Sequence, residues 1–491
     1  MIKTNAPTYT CNRLPFAAIG LLLLFLLLAV LTGCVPTVKE SSEPLADLGN
    51  EQDTVNTARL SLFLNLKDPT GPGIRLELKD LEVLADQIWL PVTSGPLLLD
   101  SEKIADSQVF LGGRAMPPGR YDRLRFTVSQ SSLRQANGEY KTVTTDPYLM
   151  DLVLSTPLLL DKDDSRSLFI TWDARGSLEG PSGLHPVMAV SPPLRQLFID
   201  LVYVACPDIN TIFIIRSDKN WVADSFGVKG HPTYIAMDPD PSNQRLYVLA
   251  ARESRIKTVE LNSQRVVDSF PIPLAIEPSF MTISPDGQWV YVLDESQNYL
   301  SRLDLESGRL LDRVRLGYEP QYVAYLADQN FLAVSSVISQ TVSFRDPQNL
   351  SEVGSVHTGS SPDGLLVSNN LLYIAERGAN TVSVVDLTMN KIQSRVDVGL
   401  GPRRLLDNGS QIYVSNYDDG SLSVIYPGQL EVGREIYGLG RPLEMVYDQN
   451  YRRIYVGDEK EAGLAIIDSN INQLKGYIKL GARPLGLAII Q

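Results

Sequence analysis

The chain has 491 residues, 44 % of them apolar, enough for two or more domains with a core apiece. Its formal charge of −13 argues against nucleic acid and against direct adsorption to anionic lipid. Three histidines and three cysteines leave little material for a metal centre or a disulfide framework.

Residues 1–33 read as a targeting segment rather than as fold. Lys3 and Arg13 flank the start of an apolar run, LPFAAIGLLLLFLLLAVL, at 14–31, which ends in Leu31-Thr32-Gly33-Cys34. The last tetrad resembles the lipobox of bacterial lipoproteins. That resemblance implies cleavage before Cys34, a diacylglyceryl thioether on its sulfur and an acylated new N-terminus. A plain transmembrane anchor would need a run of similar length, about 18 residues, but gives no reason for small residues leading into a cysteine. Val35 stands where an Asp would resemble an inner-membrane retention signal, so the outer membrane of the cell envelope is expected. Residues 34–57 are polar and acidic and read as a flexible tether between lipid and folded chain. With Cys11 removed and Cys34 lipidated, Cys206 stands alone. No disulfide is then expected, and Cys206 reads as a small buried residue, not a nucleophile.

Residues 58–193 form a different texture. Arg59–Leu66 puts Leu60, Leu62, Leu64 and Leu66 on one face, and similar alternation recurs at Ile74–Leu84, Arg123–Ser129, Tyr148–Leu154 and Arg166–Trp172. Such runs separated by turn clusters predict a β-sandwich. Asp68-Pro69 after the opening strand, and Pro118-Gly119-Arg120-Tyr121-Asp122-Arg123-Leu124-Arg125, resemble an uncharacterised domain common just after the anchor of bacterial envelope lipoproteins. The same P-x-G-x-Y segment resembles transthyretin-like, prealbumin-type sandwiches. The resemblance implies a location and no activity.

From residue 197 to 491 one pattern repeats seven times. Its first half is an apolar-Tyr-apolar triplet centred on Tyr203, Tyr247, Tyr291, Ala333, Tyr373, Tyr413 and Tyr455. Its second half is a proline opening an apolar run, at Pro232, Pro278, Pro320, Pro362, Pro402, Pro442 and Pro484. Each series spans 252 residues over six intervals, a mean period of 42. Four short strands per such period predict an all-β, seven-bladed propeller. Because the region opens on a triplet strand and closes on a Pro-led strand, the last strand is expected to complete the first blade. Leu194–Asp200 is read as an extended connector. Ser284-Pro285-Asp286-Gly287, Thr381-Val382-Ser383-Val384-Val385-Asp386 and Tyr413-Val414-Ser415-Asn416 resemble the repeat of the YVTN family of seven-bladed propellers. That resemblance implies the fold and leaves the chemistry open.

No Gly-rich phosphate loop, H-E-x-x-H or Ser nucleophile elbow is present, so no cofactor, metal or catalytic residue is assigned. The acidic stretches Asp161–Asp164 and Asp238–Asp240 lack the Gly and distal Glu of a calcium loop and read as turns. Superposing the repeats gathers one group of charged residues. His231, Glu277, Glu319, Arg441 and Arg483 each precede a blade proline, and Arg403-Arg404 follow Pro402. Arg252, Glu253, Asp294, Glu295, Glu376, Asp418, Asp458 and Glu459 follow the triplets and belong to the same face. These residues are expected to ring one mouth of the propeller, acidic on one side and basic on the other, where a polar or zwitterionic ligand, or a peptide, could bind. The alternative is a set of solvated loop residues making inter-blade ion pairs. The expected function is a non-enzymatic envelope platform for a protein or peptide partner. The alternative is a propeller enzyme or haem-d1-binding type of protein, for which His231 with Glu277 is the candidate pair. A purely structural surface-layer component would self-associate instead.

Overall fold

The computed structural model describes residues 57–490 apart from 106, 145, 181–182, 194–199 and 428–430. Residues 1–33, read as a targeting segment, together with Cys34, residues 35–56 and most of the connector, lie outside the described residues.

The first part is a two-sheet sandwich. Ala58–Leu66 pairs parallel with Ser165–Asp173 and antiparallel with Val109–Met116, and Val187–Ser191 completes a four-stranded sheet. The facing sheet is built on Ile74–Ala85 and the long Gly119–Arg134, flanked by Ile88–Pro91, Leu97–Asp100, Tyr140–Thr144 and Tyr148–Leu160. Leu60, Leu62 and Leu64 meet Leu76, Leu78, Leu124 and Phe126 in one core, as the period-2 alternation requires. Tyr121 of the P-x-G-x-Y segment is fully buried, and its hydroxyl donates to the Pro117 carbonyl at 2.6 Å, fixing the entry into the central strand.

The second part is seven four-stranded antiparallel sheets. In blade 2 the order from axis to rim is Pro232–Met237, Arg245–Ala250, Arg255–Glu260 and Arg265–Pro271. Blades 3 to 7 open at Pro278, Pro320, Pro362, Pro402 and Pro442 with the same order. Blade 1 combines the C-terminal strand Gly486–Ile490 with Leu201–Cys206, Thr211–Arg216 and Trp221–Gly227. The register Leu201↔Ile490 to Ala205↔Gly486 closes the ring, as the order of the repeat halves predicts. Proline suits the start of an inner strand, where its missing N–H leaves no ladder bond unmade.

Second strands such as Leu201–Cys206 are buried on both faces because each blade is covered by its two neighbours, so they read as continuous apolar runs. Outer strands such as Lys391–Asp397 face solvent in part. All seven blades carry a bulge at the same place between third and fourth strands, for example at Ile214/Ile215, Thr258/Val259 and Ile466/Ile467. A bulge increases local twist, and each blade needs that twist to fan outward. Three of the triplet tyrosines bridge blades. Tyr291 donates to the Pro347 carbonyl of blade 4 at 2.9 Å, Tyr413 reaches Asn472 of blade 7 at 2.6 Å, and Tyr455 reaches Asn220 of blade 1 at 2.7 Å.

The sandwich is seated on blade 1. Phe63 points away from the sandwich core and packs with Phe110, Phe169 and Phe213, ring centroids 5.4, 5.9 and 6.2 Å away. Gln108 clasps the Val222 backbone, accepting from its N–H at 2.9 Å and donating to its carbonyl at 3.3 Å. Hydroxyls of Ser165, Ser167, Thr211 and Ser225 interlink across the seam. Arg166 donates to Gln264 at 3.0 Å and lies 3.5 Å from the buried Asp224 carboxylate.

Candidate functional site

In three blades the residue before the proline is held at one mouth by the preceding blade. Asn210, Asn298 and Asn380 end the loops after the second strands in left-handed conformation, which asparagine tolerates well. Their side-chain oxygens accept from the backbone N–H of His231, Glu319 and Gly401 at 2.9, 2.8 and 2.9 Å. In blades 3, 5 and 7 a buried acid at the end of the second strand does similar work for the loop that enters its own blade. Asp294 accepts from Ile276 N at 2.8 Å, Glu376 from Gly359 N at 2.6 Å, and Asp458 from Gly440 and Arg441 N at 2.7 and 2.8 Å. Asp294, Glu376 and Asp458 are therefore inside the loops, not part of an open ring. Their position in the repeat is where incoming backbone N–H groups need an acceptor.

Below this mouth the axis is filled by the second residue after each proline. Tyr234, Phe280 and Tyr322 stack in sequence from blades 2 to 4, with ring centroids 4.1 and 4.2 Å apart. Blade 6 contributes Arg404, whose guanidinium bonds Glu444 of blade 7 at 2.5 Å and also pairs with Asp363 of blade 5. It lies 5.0 Å from the Tyr322 ring centroid. Blades 5 and 1 place Gly364 and Gly486 here, and both are required. A Cβ on Gly364 would sit 2.3 Å from the Arg403 carbonyl, and one on Gly486 3.0 Å from Ile235 N. Burial raises the Asp363 carboxyl, but Arg404 and Arg403 outweigh it and hold the group below the usual carboxylate range. Burial likewise opposes the Arg404 charge, and Asp363 and Glu444 more than restore it. The waist is thus a packed aromatic column joined to a satisfied ion cluster.

Above the waist, over blades 3 to 6, lies a depression of about 530 Å³. Its lining includes Glu295, Glu319, Gln321, Asp363, Arg377, Arg403 and Asp418. Glu295 accepts from Gln321 at 2.6 Å. Burial raises its carboxyl above the ordinary value, Gln321 opposes this, and the fields of Glu319, Asp363 and Glu277 add to the rise. Arg403 donates to Asp363 at 2.9 Å. Among the described residues the side chains of Glu319, Arg377 and Asp418 have no ion-pair partner.

The sequence-selected ring divides accordingly. Glu319 and Arg403 share the depression. Glu277 is exposed beside it. Arg441 and Arg403 flank the Tyr417 ring, 5.7 and 5.2 Å from its centroid, while the Tyr417 hydroxyl bonds Glu459. Arg483 pairs with Asp208 at 3.2 Å and lies 3.9 Å from Glu459. His231 is half-buried in left-handed conformation, and burial and Arg252 lower its pKa against the influence of Asp208. His231 and Glu277 are not brought together. The charged groups acting on His231 are Arg252, Asp208 and Arg483, while Glu277 acts on Glu295. Of Asp363, Arg404, Glu444 and Tyr417, the sequence singles out Arg404 alone, as the second residue after Pro402. Aligning the two positions after each proline would have set the first three side by side.

The remaining candidates resolve as local structure. Asp238 accepts from the Asp240 backbone N–H at 2.9 Å and from the Tyr247 hydroxyl at 3.1 Å, closing its own turn. Cys206 is fully buried, and burial pushes its thiol up, out of the reactive range.

No protein-family model and no curated protein matches this sequence. Among solved structures, a functionally unknown protein from Desulfotomaculum acetoxidans DSM 771 superposes with a TM-score of 0.53 at 14 % identity, covering 60 % of this chain and 99 % of that one. A putative 6-phosphogluconolactonase from Bacteroides fragilis NCTC 9343 superposes with a TM-score of 0.51 at 13 % identity, covering 59 % and 98 %. The fold is shared. At these identities the likeness extends no further.

Proposed function

We propose that this protein is a non-enzymatic lipoprotein of the cell envelope, anchored through Cys34, whose propeller mouth is a platform for a polypeptide partner. The observation that carries the reading is the depression of about 530 Å³, in which Glu319, Arg377 and Asp418 have no ion-pair partner among the described residues, above a waist filled by its own side chains. A preformed polar surface over a packed floor offers recognition at little ordering cost. The YVTN-like segments and the lipobox-like Leu31–Cys34 support an envelope location, with the outer membrane favoured by Val35.

The alternative, a propeller enzyme or cofactor-binding protein, draws on the putative lactonase among the structural neighbours. Its acid–base pair would be His231 with Glu277, and their separate surroundings disfavour a shared proton relay.

Crosslinking of the full chain in its native membrane, followed by mass spectrometry, tests the platform. A reproducible protein neighbour should disappear in the combined Glu319→Gln, Arg377→Ala, Asp418→Asn variant and persist when the exposed Lys391 on the blade 5 rim becomes Ala. An unchanged crosslink in the mouth variant would overturn the reading. Labelled palmitate should be incorporated by the native chain and not by Cys34→Ser.

A further inference from the structure

The depression has an acidic surplus once internal pairs are set aside. Arg403 is engaged by Asp363, so among the described residues lining the depression Arg377 is the cation without an ion pair that faces Glu295, Glu319 and Asp418. Glu277 adds a fourth carboxylate beside Glu295. A surface of this sign recruits a cation.

Apolar side chains border the same acids. Leu274 and Ile276 lie in the loop that leads to Glu277, and Tyr318 and Ile338 lie beside Glu319; all four are between 58 % and 68 % exposed. The two sides belong to one scaffold. Arg313 donates to the Leu274 carbonyl at 3.1 Å and to Gln297 at 2.7 Å, locking the first loop to the loop carrying Glu295. Ile338 N donates to the Tyr318 carbonyl at 3.3 Å, and Tyr318 N donates to the Ser339 hydroxyl oxygen at 3.0 Å, locking the second pair. Single exposed apolar residues are ordinary, but two exposed pairs on the successive loops that carry Glu277 and Glu319 make a patch with a chemical pattern.

We infer that the mouth receives a polypeptide segment in which a basic side chain is flanked by apolar ones, the base between Glu295 and Glu319, its neighbours on Leu274 with Ile276 and on Tyr318 with Ile338. The inference rests on the platform reading and adds to it the partner's chemistry. Charge complementarity selects the base. Apolar contact on both flanks selects an extended segment over a free cation such as a metal or a polyamine, which would leave the flanks unused.

The test is fluorescence anisotropy with the full chain in detergent and three dye-labelled nine-residue peptides of glycine background. One carries Leu-Lys-Leu at its centre, one Leu-Glu-Leu and one Gly-Lys-Gly. The first should bind saturably and at least 10-fold more tightly than either other, weakening as salt is raised. Glu295→Gln with Glu319→Gln, and separately Ile276→Ser with Tyr318→Ser, should each weaken it about 10-fold or more while leaving the melting temperature unchanged. Equal affinity for the lysine and glutamate peptides, or full affinity in either double variant, would overturn the inference. Should the glutamate peptide bind instead and Arg377→Ala abolish it, the platform stands and the basic, apolar partner is refuted. Should no peptide bind and the membrane crosslink survive the mouth variant, both fall.

Discussion

Replacing Arg404 by Ala is the sharpest perturbation of the propeller's axis. The guanidinium is 11 % exposed and is shared between Asp363 at 3 % and Glu444 at 15 %. Its removal leaves Glu444 without its partner and Asp363 with Arg403 alone, and it strips the cation from the Tyr322 ring. Breaking a buried charge network by deleting one member costs about 3–5 kcal/mol. Unfolding entropy near 2.1 cal/mol/K per residue gives a propeller of about 290 residues an entropy of roughly 0.6 kcal/mol/K. The melting temperature should therefore fall by about 5–8 °C, read by scanning calorimetry or by near-ultraviolet circular dichroism of the aromatic column. Much of the loss should return in the triple variant Arg404→Met, Asp363→Asn, Glu444→Gln, in which the buried carboxylates are neutral and only the partly exposed Arg403 keeps its charge. A drop below 2 °C in Arg404→Ala, or no recovery in the triple variant, would refute the view that the ion cluster is a satisfied structural unit.

Other expectations concern the seams. Asp224 is buried where the sandwich meets blade 1, and burial raises its carboxyl to about 6 against the pull of Arg166, with Asp164 nearby also raised by burial. A carboxyl whose folded pKa exceeds its unfolded one stabilises fully below the unfolded value and loses that contribution as pH rises through about 6. Going from pH 7 to pH 5 should thus add roughly 1.4 kcal/mol from Asp224, a difference that urea titrations of native and Asp224→Asn proteins at the two pH values will show. Tyr455→Phe removes the hydroxyl that reaches Asn220 of the closing blade, so a loss of about 1 kcal/mol is expected in urea unfolding. Gly364→Ala should destabilise more than a typical surface change, because its Cβ meets backbone on the next inner strand; a melting temperature within 1 °C of native would contradict the packing described for the waist.

The ring and its closure were legible because proline and tyrosine recur at one period and because the repeat begins and ends on different halves. The sandwich was legible from alternation in Ala58–Leu66, and the opposite face of the same strand already held the clue to docking. Phe63 interrupts what would otherwise be a polar side facing water. The charged ring was legible only in part. A repeat alignment places residues at one height but does not say which are turned inward, so Asp294 and Asp458 look like Glu295 and Glu459 until backbone donors are found pointing at them. Arg404, Asp363 and Glu444 lie about 40 residues apart in sequence, and only the inner strands converging on one axis make them neighbours. What selects them is local crowding: glycine at Gly364 and Gly486 and bulk at Tyr234, Phe280 and Tyr322 leave one gap that a long cation fills.

Sewing the hoop with Gly486–Ile490 has a consequence for how the chain is assembled. During synthesis Leu201–Cys206 emerges about 290 residues before the strand that will cover its axial edge, so an apolar edge waits bare for most of translation. The sandwich precedes it in the chain, and through Phe63, Phe110 and Gln108 it already grips Phe213 and Val222 of that unfinished sheet. A sandwich that folds as it emerges would thus act as a splint for its own nascent ring, steadying the first blade until the last strand arrives.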